Sequence, residues 1–185
     1  MRLHSRLLGL TAFLLAAAAA PLAAIAQVPQ DEAHKHLATE VGEWDAEVKM
    51  WHAADAEPMS SKGSETNEMF GDFWLLSKFT TDFGGMKYSG RMQLGYDPQK
   101  KKYVGTWIDT MSPYLSTMEG TYDEKTKTTT MLATGVDVMT GKPSTSKMTT
   151  RIESDDVKVF EMFMPVEGKK DEWWKSMEIK YTRKK

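Results

Sequence analysis

The sequence predicts an all-β fold, an antiparallel up-and-down β-barrel of about ten strands behind one short helix. Three observations predict it. Apolar and polar residues alternate with period two from about residue 43 to the C-terminus. Turn-forming residues break that alternation at short intervals. No helical period lies between the alternating segments, so there is no room for the crossovers that parallel strands need. A flat meander of that many strands would leave two open edges, and closure into a barrel removes them.

Residues 1–26 read as a secretory leader. Arg2 and Arg6 precede an apolar run over 7–20, Pro21 breaks the run, and Ala24-Ile25-Ala26 is an A-x-A cleavage site. The expectation is cleavage after Ala26, a periplasmic or secreted location, and no stable membrane insertion afterwards. One barrel domain is expected over 27–185. Residues 31–40 read as a helix: Asp31 caps it, Asp31 and Lys35 stand four apart, Leu37 and Val41 form its apolar stripe, and Gly42 stops it. Candidate strands follow at 43–52, 62–70, 73–83, 87–96, 102–111, 115–122, 127–134, 145–153, 157–164 and 173–183. The clearest alternations are Trp44/Ala46/Val48/Met50, Tyr88/Gly90/Met92/Leu94/Tyr96 and Met177/Ile179/Tyr181. Gly84-Gly85, Asp97-Pro98, Asp123-Glu124-Lys125, Thr140-Gly141-Lys142-Pro143 and Ser154-Asp155-Asp156 fit hairpin connections, with longer loops at 53–61 and 165–172.

Composition excludes several function classes. The formal charge is −2 for the whole chain and −4 once Arg2 and Arg6 leave, which speaks against a nucleic-acid binder. The chain has no cysteine, hence no disulfide, no thiolate nucleophile and no thiolate metal site. After residue 26 only 18 residues are Ile, Leu or Val, while 31 are Met, Phe, Trp or Tyr, so sulfur and rings build the core. Thirteen of these are methionines. Met50, Met92, Met118, Met148 and Met177 fall on the apolar phase of separate strands, which is packing rather than the local clustering of a copper site, and no metal or cofactor is expected. His34 and His36 read as solvent-facing helix residues. There is no G-x-S-x-G elbow, and 135–142 lacks both the spacing and the following helix of a phosphate loop.

Gly42-Glu43-Trp44, placed after a short helix at the start of the first strand, resembles the G-x-W signature of lipocalins and their calycin relatives. That resemblance implies that Trp44 plugs one barrel end while a basic residue near the end of the last strand, here Arg183, packs across it, with Gly42 completing the closure. The words Val41-Gly42-Glu43-Trp44, Gly95-Tyr96-Asp97-Pro98, Gly105-Thr106-Trp107-Ile108-Asp109, Met118-Glu119-Gly120-Thr121-Tyr122 and Tyr181-Thr182-Arg183-Lys184 are similar to a bacterial domain-of-unknown-function family, number 1579. It implies no activity. Haem-binding nitrobindin barrels begin G-x-W-x-G-x-G, and Asp45-Ala46-Glu47-Val48 departs from that pattern.

The candidate site centres on Trp107 and Asp109, which share a strand face with Tyr103, Gly105 and Met111; Val104, Thr106, Ile108 and Thr110 form the other face. Both faces are partly apolar, so the phase is open. With Trp107 inward, Asp109 is a carboxylate at or in the barrel mouth, where Arg91, Lys78, Tyr88 or a ligand would satisfy it. The expected ligand-binding set is Trp107, Asp109, Tyr88, Met92, Met118 and Met50, and the expected partner a small apolar or amphipathic molecule. Two alternatives stand beside it: an enzyme using Asp109 with Glu119 or Glu65 for acid–base chemistry, and a structural or stress-related barrel acting through its surface.

Overall fold

The computed structural model describes residues 29–185; the leader expected at 1–26 lies outside them. A helix, α1 (Glu32–Ala38), precedes ten strands: β1 (Gly42–Met50), β2 (Met59–Phe70), β3 (Trp74–Phe83), β4 (Met86–Asp97), β5 (Lys102–Asp109), β6 (Ser112–Asp123), β7 (Thr128–Val136), β8 (Pro143–Ser154), β9 (Val157–Pro165) and β10 (Trp173–Arg183). Each strand pairs with its sequence neighbours, and β1 pairs with β10 to close the barrel. The seam is antiparallel, with Trp44 opposite Arg183, Val48 opposite Ile179 and Met50 opposite Met177. An even number of up-and-down strands makes that possible, because the first and last then run in opposite directions.

Turn chemistry ends the strands where the sequence suggests. Gly84 and Gly85 both have positive φ, 66° and 98°, as a two-residue turn between twisted strands requires. Aspartates finish the strands elsewhere. The Asp97 carboxylate accepts from the amides of Gln99 (2.9 Å) and Lys100 (3.1 Å), and the Asp123 and Asp137 carboxylates from those of Lys125 (2.8 Å) and Thr140 (2.7 Å). β5 stops at Asp109 rather than 111 for the same reason: its carboxylate accepts from the Met111 amide at 2.8 Å. The register shifts at three places, between Trp107 and Asp109, Ile152 and Ser154, and Lys175 and Met177; the last, a bulge at Ser176 in β10, leaves Trp174 opposite Met164 and Met177 opposite Met162.

The helix closes one end. Asp31 caps it in a reciprocal capping box with His34, and Glu32, rather than Asp31, pairs with Lys35 at 2.7 Å. Leu37 is 1 % exposed, packed among Leu75, Leu94, Tyr103 and Met118. Val41 lies beyond the helix and is exposed, so the expected Leu37/Val41 stripe does not form. The expectation that the helix histidines face solvent fails too. His34 is buried edge-on to Phe73 and Tyr96, and His36 stacks on Tyr122 with ring centres 4.0 Å apart. Because the seven-residue helix covers one end of the barrel, both histidines become packing surface.

Candidate functional site

Inward residues of ten strands do not fill the barrel. They enclose a cavity of about 510 Å³. Nine methionines line it, eight of them from seven of the strands and Met111 from the β5–β6 turn, together with Phe79, Tyr88, Trp107, Phe160 and Tyr181. At the end away from the helix, Met86 and Met111 line the cavity and are about half exposed (48 % and 47 %), so this rim is its entrance.

The floor, toward the helix, is charged. In β9 the inward phase reads Lys158, Phe160, Met162. Lys158 is 3 % exposed, and its ammonium lies 2.8 Å from Glu40 Oε2 and 2.9 Å from Glu65 Oε1. Asn67 Nδ2 donates to Glu65 Oε1 at 2.9 Å and to the Glu40 carbonyl at 3.2 Å, and the Trp44 indole donates to that same carbonyl at 3.0 Å. Burial works against the Lys158 charge, but Glu40 and Glu65 outweigh it and push its pKa up to about 12. Burial likewise works against the Glu40 carboxylate, and Lys158 holds it below the usual carboxylate range. Burial, then the charge of Glu65, drives the Tyr181 hydroxyl well up, so it stands as a proton donor beside that carboxylate.

Trp44 sits under two cations, with Arg183 Cζ 4.0 Å and Lys158 Nζ 4.7 Å from its ring centre. Arg183 also donates to the carbonyls of Val41, Thr39 (2.9 Å) and Asp155 (3.0 Å), lacing the chain end to the helix. Gly42, at φ 133°, leaves the space that the Arg183 guanidinium occupies. Gly42, Trp44 and Arg183 thus form one packed unit at the floor.

The wall carries a second polar group. Trp107 and Asp109 point inward, which settles the phase of β5, while Ile108 between them is half exposed outside. Gly90, opposite on β4, provides the room: a side-chain carbon there would overlap the six-membered ring of Trp107. The Trp107 indole donates to Asp109 Oδ2 at 3.0 Å. Burial, then the Asp109 charge, raises the Tyr88 hydroxyl above its ordinary range. Trp107, Asp109, Tyr88, Met92, Met118 and Met50 all line the cavity.

Several candidates stand elsewhere. Arg91 and Lys78 are exposed and pair across strands on the outer face, so the indole and the Met111 amide, not a cation, hold Asp109. Glu119 is outside, paired with Lys102. It follows Met118, and adjacent strand residues take opposite faces. An Asp109–Glu119 acid–base pair is therefore ruled out by position, and Glu65 is bound by Lys158 and Asn67. Lys158 and Glu40 escaped the sequence reading. The phase Lys158-x-Phe160-x-Met162 was the available signal, hidden because a lysine at the start of a strand normally reads as solvated.

A family model described as a protein of unknown function (DUF1579) matches residues 29–183. The chain belongs to this family. DUF1579 here covers the helix and every strand of the barrel. The crystal structure of Rv2717c from M. tuberculosis is similar to this DUF1579 barrel, with a TM-score of 0.64 and 13 % identity over 85 % of this chain and 100 % of that one. At that identity the likeness concerns the fold. No curated protein matches the chain.

Proposed function

We propose that this DUF1579 barrel is an exported protein that holds a small molecule with an apolar body inside the barrel. The observation that carries the reading is the cavity of about 510 Å³, walled by methionine and aromatic side chains and open at one rim. That volume lies within the roughly 300–1,000 Å³ of small-molecule pockets. Thioether side chains adapt to guests of varied shape, and the few polar groups at wall and floor would orient them. Arg2, Arg6, the apolar run and the A-x-A site support export.

One experiment addresses both parts. The full chain, expressed in a bacterium and released from the periplasm, is measured by native mass spectrometry and by organic extraction. The expected protein begins at Gln27 and carries an additional noncovalent mass that the extract identifies. It is also expected to enhance the fluorescence of N-phenyl-1-naphthylamine, an uncharged probe. A bare mass together with no probe binding would overturn the binding reading, and a retained leader would overturn export.

A further inference from the structure

Resting on the binding reading above, we propose that the cavity selects cationic apolar molecules, with an ammonium group beside Asp109, and rejects carboxylate amphiphiles. The charged side chains lining the cavity are Glu40, Glu65, Asp109 and Lys158, three carboxylates against one ammonium. The lone cation is not free to receive an anion, since Glu40 and Glu65 already hold it at 2.8 and 2.9 Å. A carboxylate ligand reaching the floor would displace one of these glutamates and leave it buried without its partner, which is costly.

Asp109 is the opposite case. Its carboxylate is fixed by neutral donors, the Trp107 indole (3.0 Å) and the Met111 amide (2.8 Å), and it has no cationic partner among the described residues. It stands near the rim, beside Met111, with Trp107 and Tyr88 at hand. A carboxylate in a cavity that aromatic rings also line is an arrangement that attracts an ammonium group. A second observation points to a ligand independently. The Ser77 hydroxyl lines the same cavity, is in a residue 3 % exposed, and has no hydrogen-bond partner among the described residues. A buried hydroxyl of this kind is ordinarily paired, and a polar atom of a guest would pair it.

The test uses three competitors that share one hydrocarbon tail: dodecyltrimethylammonium, dodecanol and dodecanoate, each below its micelle concentration. Each displaces N-phenyl-1-naphthylamine from the wild-type protein. The ammonium is expected to compete about tenfold better than the alcohol, and dodecanoate worse than either. In Asp109→Asn the ratio of ammonium to alcohol is expected to fall to about one. Dodecanoate competing as well as the ammonium in the wild type overturns the inference without touching the binding reading, and needs no variant to fold. An unchanged ratio in Asp109→Asn overturns the assignment of Asp109. Failure of the probe to bind at all overturns the binding reading, and the inference with it.

Discussion

A lysine 3 % exposed between two glutamates sets the terms at the scale of single residues. Removing it leaves two carboxylates in the barrel floor with no counter-charge. Lys158→Met is therefore expected to cost about 3–5 kcal/mol of stability in chemical denaturation, and adding Glu40→Gln and Glu65→Gln to recover most of it. The pH dependence has a defined sign. Glu40 has a lowered folded pKa, so its contribution is present above about pH 4.5 and lost as pH falls through the lower folded value. Lys158 has a raised one, so its contribution is full below 10.5 and lost as pH rises through about 12. The denaturation midpoint of the wild type is expected to fall at both extremes, and that of the triple variant to lack these two components. At this scale the sequence was partly legible. Met50, Met92 and Met118 announce their side by alternation. Trp107 does not, because Val104, Thr106 and Ile108 make the outer face of β5 nearly as apolar as the inner one, and the deciding residue, Gly90, lies on another strand.

Among elements, α1 departs furthest from its sequence reading. In isolation its histidines look like a wet face; in the barrel that face has to cover an opening. His36 stacks on Tyr122, its Nε2 is buried without a partner, and burial lowers its pKa despite the opposing charge of Glu40. A lowered folded value means that stability present above 6.5 is lost as pH falls below it. His36→Gln is expected to flatten the change in denaturation midpoint between about pH 7 and 5, whatever it does to the midpoint itself. A slope identical to that of the wild type would show that the imidazole is not the titrating group. The strands were more legible than the helix because period-two alternation reports a face directly, whereas two residues on a helix of two turns do not reveal what will be packed against it. The Ser176 bulge was not legible: both Trp174 and Met177 look like core, and only the pairing with Met164 and Met162 shows that an extra residue separates them.

For the whole molecule, nine of the ten strand pairings join neighbours in sequence, and the β1–β10 seam alone joins distant ones. Arg183 donates to Thr39 O, and the Lys184 amide to Glu43 O at 2.8 Å, so the end of the last strand and the start of the first lie together. A circular permutant that joins 185 to 29 by a flexible linker and opens at the 124–127 turn is expected to give the same circular dichroism spectrum and probe binding as the parent. A chain ending at 172 is expected to be insoluble, since it exposes the edges of both β1 and β9.

The seam also has a consequence in time. The last strand to be synthesised supplies Ile179 and Tyr181 to the inner wall and Arg183 to the closure around Trp44. Without that strand β1 and β9 are open edges of an apolar sheet, and there is no compartment. The compartment is complete only when the eleven-residue β10 is paired with β1. On the proposed function, a guest therefore has a cavity to enter only in the closed molecule, and an unclosed barrel leaves the same methionines exposed.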